Sequence, residues 1–192
     1  MSANLGKYVT CDATKCSGCR ACELACFAEH NKATDSKNNG VGNTVGTVEI
    51  PVTSKVYVTF LEDGISAAIQ CKHCEDAPCL NVCSKGAIER IDGQVIIDTS
   101  KCIGCKDCML ACPFGAIDLM PIYENKKAVS QNEKEVAKAA SKCDLCKGNP
   151  DGPACVRVCP NKALRVVEPS DEKKAKNVKA AQALYEASVE RA

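Results

Sequence analysis

Cysteine spacing is the strongest constraint on this chain of 192 residues. All of its 17 cysteines except Cys11 fall into four groups. The groups are Cys16, Cys19, Cys22 and Cys26; Cys71, Cys74, Cys79 and Cys83; Cys102, Cys105, Cys108 and Cys112; and Cys143, Cys146, Cys155 and Cys159. Every group closes with C-x3-C, and the first and third have the full spacing C-x2-C-x2-C-x3-C. The pattern is an internal repeat of ligand spacing.

Composition narrows what these thiols can do. Gaps this short are poorly bridged within a group, the count is odd, and the N-terminus has no apolar run typical of a secretory signal. A disulfide scaffold is therefore disfavoured, and we expect a reducing, cytoplasmic compartment. With no Trp, three Phe and four Tyr, large aromatic side chains cannot fill the interior, which predicts that something other than side chains does.

Two function classes are excluded by the same survey. The net charge is +1, with acidic and basic residues mixed along the chain, whereas nucleic acid binding favours a basic face with stacking aromatics. No stretch approaches the ~18 apolar residues of a membrane span. The sequence predicts neither a nucleic acid partner nor a direct membrane span.

The spacing favours [4Fe–4S] clusters. Gaps of two residues let a tight loop present thiolates to neighbouring corners of one cluster, while the fourth cysteine, after a helical turn, faces the other cluster of a pair. Gly18 and Gly104 lie in the first gap, where we expect a Cβ to meet inorganic sulfide. Pro113 and Pro160 follow the last cysteine of two groups, as in ferredoxins. A zinc-bound interaction module without redox activity is the alternative, although runs of three cysteines suit zinc poorly.

The pairing of the groups follows from the link between the second and third. Residues 84–101 contain the segments IERI and QVIID around Asp92 and Gly93, which predicts a short hairpin of the kind that joins the halves of a two-cluster ferredoxin. Groups two and three then form one module, and groups one and four the other. Exchange of the fourth ligands predicts four sets: Cys16, Cys19, Cys22 and Cys159; Cys26, Cys143, Cys146 and Cys155; Cys71, Cys74, Cys79 and Cys112; and Cys83, Cys102, Cys105 and Cys108.

Complete cysteine ligation indicates the function. A cluster that acts on a substrate usually needs an iron with a free coordination position, and these sets leave none. The C-x3-C-x2-C spacing that is typical of radical-SAM enzymes is also missing. Fully ligated clusters transfer single electrons. The sequence therefore predicts a non-catalytic electron-transfer protein with four [4Fe–4S] clusters and the sixteen cysteines as iron ligands.

The segments CKHCEDAPCLNVC and KCDLC…ACVRVCP, in this order of motifs, resemble a known family over about residues 7 to 168. The chain is similar to the four-cluster electron-transfer subunits of molybdopterin oxidoreductase and hydrogenase complexes. These include formate dehydrogenase beta subunits, small subunits of formate hydrogenlyase and the iron–sulfur protein of carbon monoxide dehydrogenase. The resemblance implies a line of clusters that accepts electrons from one catalytic subunit and delivers them to another.

The same resemblance gives the expected partners. This chain lacks the C-terminal membrane helix and the long insertions of some members, which favours the short soluble ones. The expected partners are a formate dehydrogenase and a hydrogenase in a cytoplasmic complex, and also a homologous four-cluster subunit or further copies of the chain. A freely diffusing polyferredoxin is the alternative.

The expected fold is α+β, with two ferredoxin-like modules of two clusters each and a C-terminal helix. The outer module is expected at 1–30 and 124–169, the inner module at 71–123, the connection at 31–70 and the tail at 170–192. The connection contains a surface loop, GVGNTVG, and the strand candidates VEIPV and KVYVTF. The charged segment 124–142 gives no clear secondary structure.

Three Cys and His residues lie outside the sixteen predicted ligands. Cys11 is interpreted as a small buried apolar residue rather than a spare ligand or redox thiol. His73, between Cys71 and Cys74, is expected to form hydrogen bonds next to a cluster and thereby adjust its properties. The sequence around His30 indicates no particular role.

The tail is expected to be helical. Ser170 can cap the helix, acidic residues follow it, and Val178 and Tyr185 lie on one narrow stripe. The helix either folds back on the modules or serves as a docking or self-assembly arm.

Overall fold

The structure, a computed structural model, describes residues 6–31, 51–124, 127–132 and 135–189. The described elements are, in chain order, β1 (Tyr8–Cys11), α1 (Ala21–His30), β2 (Val56–Phe60), β3 (Ser66–Gln70), α2 (Pro78–Asn81), β4 (Ile88–Ile91), β5 (Gln94–Ile97), α3 (Asp107–Ala111), β6 (Asp118–Pro121), β7 (Tyr123–Glu124), β8 (Lys127–Ala128), β9 (Ser130–Asn132), β10 (Glu135–Val136), β11 (Lys138–Ser141), α4 (Ala154–Val158), β12 (Leu164–Val167) and α5 (Pro169–Val189). Every sheet among them is an antiparallel pair of strands. The fold is a mixture of short helices and small sheets, as the α+β expectation requires.

The two ends of the cysteine-rich region are held together by strand pairing. β1 pairs with β12, with Tyr8 opposite Val167 and Cys11 opposite Leu164. Val9, Leu164 and Val167 are buried in this pair, and α1 packs against α4 nearby. The first and fourth cysteine groups therefore lie side by side, although most of the chain separates them.

The predicted hairpin between groups two and three is confirmed. β4 pairs with β5 across Asp92 and Gly93, both of which have positive φ, at 50° and 79°. A two-residue turn with two left-handed residues matches the right-handed twist of the flanking strands, which explains the Asp-Gly sequence. On either side of this hairpin, α2 packs against α3 and brings groups two and three together.

The other strand predictions had mixed outcomes. KVYVTF forms β2, which pairs with β3. The candidate VEIPV was wrong where it can be judged, because Pro51 and Val52 are not in a strand, and residues 48–50 lie outside the described residues. GVGNTVG lies outside them as well. The segment 124–142, which gave no clear pattern, contains short paired strands, and β11 pairs with β6.

The core is built from small apolar residues and cysteines. Val9, Val56, Val95 and Ala116 are almost inaccessible to solvent. The buried cysteines are Cys22, Cys26, Cys71, Cys79, Cys108, Cys143, Cys146 and Cys155. Since much of the interior is thiol, the core depends on what those thiols hold. Among the described residues, no helix combines the length and the apolar character needed to cross a bilayer.

Helix α5 begins at Pro169, one residue before the predicted cap, and proline suits this first helical position. Asp171 and Glu172 lie in the first turn, where acidic side chains are favoured by the helix dipole. No residue of the helix is buried, and Leu184 and Tyr185 are 71% and 70% exposed. The alternative in which the helix folds back onto the modules is therefore wrong for the described residues.

Deletion of residues 173–192 is expected to leave the melting temperature of the protein unchanged, because no residue of α5 is buried. Val167→Ala in β12 is the matched control. It removes both methyl groups of a buried side chain and is expected to lower the free energy of unfolding by about 2 kcal/mol. Thermal melts without oxygen compare the two. If the deletion lowers the melting temperature as much as Val167→Ala does, helix α5 packs against the rest of the protein and the prediction is wrong.

Candidate metal centres

The loops of the first and third cysteine groups share a left-handed backbone. Gly18 and Gly104 both have φ of 69°, and two residues later Arg20 and Lys106 are again left-handed, at 59° and 74°. Each loop then enters a helix, at Ala21 or at Asp107. The repeat that the spacing predicts is thus a repeat of backbone conformation as well.

Both glycines are required by their surroundings. A Cβ on Gly18 would stand 2.4 Å from Cε1 of Phe60, and one on Gly104 would stand 2.8 Å from the carbonyl oxygen of Lys138. Protein atoms alone thus crowd both positions, and the expected approach of this backbone to inorganic sulfide stays a prediction. Together with the positive φ, this close approach leaves glycine as the residue that fits.

Three cavities are each lined by four cysteines from two different groups. The lining cysteines are Cys16, Cys19, Cys22 and Cys159 in the first; Cys71, Cys74, Cys79 and Cys112 in the second; and Cys83, Cys102, Cys105 and Cys108 in the third. The three cavities are similar in size. We name each set of four after its first cysteine. These groupings are those that the exchange of fourth ligands predicts, and iron binding by them stays a prediction.

The remaining four cysteines form the Cys26 set. Cys26 and Cys155 lie on the packed helices α1 and α4, and Cys143 and Cys146 precede α4. Burial raises the pKa of Cys155 to about 12, and the nearby charges of Cys26 and Cys146 add to that increase. Burial raises the pKa of Cys143 further, with Cys155 again close by. Mutual electrostatic effects of this kind place the four thiols in one neighbourhood.

Backbone N–H groups point at the sulfurs of all four sets. The donor–acceptor pairs are Ala163 N to Cys159 Sγ at 3.2 Å, Lys55 N to Cys26 Sγ at 3.3 Å, Leu145 N to Cys143 Sγ at 3.4 Å, His73 N to Cys71 Sγ at 3.3 Å, Ala116 N to Cys112 Sγ at 3.4 Å and Ala140 N to Cys102 Sγ at 3.3 Å. Such bonds stabilise sulfur that carries negative charge and help to set the potential of a bound cluster.

A common turn supplies two of these donors. After Cys112 and Cys159, the chain turns so that the N–H three residues later donates to the cysteine carbonyl, at 3.2 Å in both cases. The N–H one residue further, from Ala116 or Ala163, then reaches the cysteine sulfur. Both alanines are buried, which explains why a small residue follows at this spacing.

The first group departs from this turn. Helix α1 continues past Cys26 to His30, so the donor to Cys26 comes from Lys55, in a distant segment. The Nζ of Lys55 donates to Oδ2 of Asp144 at 2.7 Å, and Nε2 of His30 lies 2.9 Å from Oδ1 of the same carboxylate. The Nδ1 of His30 lies 3.8 Å from Cys26 Sγ. An ion-pair network therefore holds the Lys55 backbone against Cys26.

Electrostatics within this network are strong. Burial, the largest single effect, would lower the pKa of His30. Its hydrogen bonds to Asp144 and Cys26, together with the charge of Asp144, outweigh burial and raise that pKa to about 10. Burial opposes ionisation of Asp144, yet His30 and Lys55 hold its pKa well below the usual range. Sequence reasoning missed this network. One signal was available, because His30 follows Cys26 by four residues on a helix and must share its face.

His73 lies where the sequence placed it, beside the Cys71 set. The side chain is buried, and its Nδ1 accepts a hydrogen bond from the N–H of Val95 at 3.1 Å. Burial, and then the charge of Lys142, lower the pKa of His73 to about 3, so the ring is neutral and carries its proton on Nε2. This buried N–H has no partner among the described protein atoms, which fits a neighbour that accepts hydrogen bonds, as an anionic cluster does.

Cys11 is partly buried and packs against the core beside Cys159. Burial raises the pKa of its thiol, and Cys16 lies close enough to contribute. This placement agrees with the interpretation of Cys11 as a small, largely apolar residue.

The chemistry of the donors fits iron–sulfur clusters. Burial raises the pKa of Cys22 and of Cys79 to about 11, so a bound metal must supply the positive charge that removes these protons. Among the described residues, no three His, Cys, Asp or Glu side chains converge as a single metal ion would require. The thiols surround cavities instead, an arrangement suited to a cluster of several irons.

Short helices and two-stranded sheets that gather quartets of cysteine around cavities define a ferredoxin-type protein. In agreement, residues 64–169 match the family described as the 4Fe-4S dicluster domain, and the chain belongs to that family. The chain is 39% identical to the electron transport protein HydN of Escherichia coli K12, over 85% of this chain and 89% of HydN. It is 35% identical to formate hydrogenlyase subunit 2 of the same organism, over 87% of this chain and 84% of that protein. The protein is an iron–sulfur electron transport protein of this type.

Similarity to solved structures is weaker. A chain of the active-site complex BamBC of benzoyl coenzyme A reductase aligns with 92% of this chain and is covered to 88%. The identity is 24% and the TM-score 0.36, which is too low for an argument.

Replacement of Gly104 by alanine is expected to lower the melting temperature more than Gly64→Ala does. Both glycines have positive φ, at 69° and 74°, which costs an alanine roughly 1–2 kcal/mol. At Gly104 the new Cβ also meets the Lys138 carbonyl, whereas Gly64 has open space. Anaerobic thermal melts of the two variants measure the difference. Equal decreases would contradict the close contact.

Proposed function

We propose that this protein is an electron-transfer subunit with four [4Fe–4S] clusters that relays single electrons between catalytic subunits, a formate dehydrogenase and a hydrogenase. The observation that carries the proposal is that twelve cysteines line three cavities, four to each, while the other four of the sixteen lie in one neighbourhood. The proposed iron ligands are the Cys16, Cys26, Cys71 and Cys83 sets. Each bound cluster supplies one-electron chemistry, and complete cysteine ligation leaves no iron open to a substrate.

The two halves of the fold support an arrangement as two modules. In the proposed outer module, residues 1–30 and 124–169, α1 packs against α4 and β1 pairs with β12 around the Cys16 and Cys26 sets. In the inner module, residues 71–123, α2 packs against α3 beside the β4–β5 hairpin. Each module then holds two clusters and has its own antiparallel strand pair.

Electrostatic neighbours suggest the order of the clusters. Cys22 of the Cys16 set affects the pKa of Cys155 in the Cys26 set, and Cys71 affects that of Cys143. Residues of the Cys71 and Cys83 sets share one core cluster. The order is therefore Cys16 set, Cys26 set, Cys71 set, Cys83 set.

The two terminal sets contain the exposed cysteines Cys19 and Cys105. An electron can cross to a partner only where a cluster comes near the surface. We therefore place the entry and exit points of the relay at these two cysteines.

The relatives support the choice of partners. One is named as a formate hydrogenlyase subunit and another as an electron transport protein. The exposed helix α5 adds a surface through which a partner, a homologous four-cluster subunit or a second copy of the chain can dock.

The cluster content can be measured directly. The anaerobically purified protein is expected to be brown and to contain about sixteen iron atoms and about sixteen acid-labile sulfides per chain. Cys105→Ala removes a ligand at the surface and is expected to lower the iron content by at most about four per chain. Cys11→Ala is the matched control and is expected to retain all of it. A colourless wild-type protein with about four zinc ions would overturn the proposal.

The partners can be identified by an anaerobic pull-down of the tagged chain from its native host. A formate dehydrogenase or hydrogenase catalytic chain is expected in nearly stoichiometric amount. A brown protein that purifies alone would support a freely diffusing polyferredoxin instead. Repeating the pull-down with residues 173–192 deleted tests the tail: an unchanged complex of unchanged size would exclude a docking or assembly role.

A further inference from the structure

A lysine directly precedes the first cysteine in three of the four groups, and its surroundings differ. Lys15 and Lys101 are exposed and pair with carboxylates, Asp12 at 3.2 Å and Glu89 at 2.8 Å. Lys142, at the same position of the fourth group, is only 4% exposed. The lysine before the fourth group is therefore buried, whereas those before the first and third groups are exposed to solvent.

The contacts of Lys142 place its ammonium group between two of the proposed clusters. Nζ donates to the carbonyl oxygen of Val95 and, at 3.2 Å, to that of Cys143. Val95 lines the cavity of the Cys71 set, whereas Cys143 belongs to the Cys26 set. The charge also acts on Cys79, a member of the Cys71 set. Lys142 thus lies at the boundary between the two halves of the relay.

The described protein groups do not neutralise this charge. Within the described part of the chain, no carboxylate lies at ion-pair distance from Lys142. Asp144 follows two residues later, but Lys55 and His30 already bind its carboxylate. Because an isolated buried ammonium is very costly, an anionic neighbour is needed to offset it. A [4Fe–4S] core with four thiolates carries a charge of about −2.

A second lysine lies at the same boundary. Lys72 is half-buried. Its Nζ donates to the carbonyl oxygen of Val9 at 3.0 Å and lies 5.5 Å from the centre of the Tyr8 ring. Burial lowers its pKa, and the charges of Cys71 and Cys143 oppose that decrease. Lys72 also lines the cavity of the Cys71 set, and Cys143 belongs to the Cys26 set, so Lys72 lies near both of the proposed middle sites.

We propose that Lys142, assisted by Lys72, is a fixed positive charge that stabilises the reduced state of the two middle clusters, those of the Cys26 and Cys71 sets. The inference rests on the proposed function. In each transfer one bound cluster would pass an electron to its neighbour, its core going from +1 to +2 as the neighbour's core goes from +2 to +1, with no bond formed or broken. The cluster that gains the electron becomes more negative, so a nearby cation favours that state.

Redox titration of the iron-loaded protein, with dithionite as reductant and electron paramagnetic resonance as readout, tests the proposal. Lys142→Met is expected to shift the midpoint potentials of the two middle clusters to more negative values. The expected size is about a tenfold change in the reduction equilibrium, which corresponds to about 59 mV for one electron. Lys101→Met, at the matching exposed position of the third group, is expected to leave all potentials unchanged.

Two further variants separate charge from packing. Lys142→Arg retains the positive charge and is expected to keep the potentials near those of the wild type. Lys72→Met is expected to shift the same two clusters in the same direction, by less than Lys142→Met, because Lys72 is less buried.

Unchanged potentials in a fully loaded Lys142→Met protein would overturn the inference. If that variant does not assemble its clusters, unchanged potentials in Lys72→Met would overturn it equally. A wild-type chain without four one-electron centres would instead overturn the proposed function, so the two failures are distinguishable.

Discussion

Sulfur in the interior is the constraint on which the rest of the structure depends. The chain buries many thiols and very few large side chains, and burial raises the pKa of several of those thiols well above neutrality. A protein core of this kind gains little from hydrophobic contact alone. It becomes stable when a metal centre displaces the protons and connects the segments that carry the sulfurs. Short helices, glycine turns and two-stranded sheets are then sufficient, because they need only bring the sulfurs to the right places.

Polar groups around the sulfurs differ between the four sets of cysteines. In three of the sets the donors to sulfur come from turns close in sequence to a cysteine or from a neighbouring strand, as with Ala116, Ala163 and Ala140. Around Cys26 the donor is the backbone of Lys55, whose side chain is held by Asp144. At Cys26 an ion pair positions the backbone donor to sulfur, whereas a local turn positions the donor at Cys112 and Cys159. The clusters of one chain can thus have different surroundings, which is how a series of similar centres acquires different potentials.

Much of this was predictable from local sequence. The cysteine spacing predicted the groupings, since ligand gaps and helical turns are local, and Asp92-Gly93 predicted the β4–β5 hairpin. What the sequence did not predict depends on distant contacts. Lys55 and Asp144 are far from Cys26 along the chain, and Lys142 has the same local context as the exposed Lys101. Crowding at Gly104, which lies in a loop, comes from Lys138 of strand β11. Local pattern alone could not identify those partners.

The pairing of β1 with β12 has a consequence for synthesis on the ribosome. Residues 8–11 are translated more than 150 residues before their strand partner, residues 164–167. The β4–β5 hairpin and the α2–α3 pair, in contrast, are complete once residue 111 has emerged. The middle of the chain can therefore fold while translation continues, whereas the first cysteines must wait. During that interval they are exposed thiols without a finished fold, and a chain of this design depends on surroundings that keep them reduced.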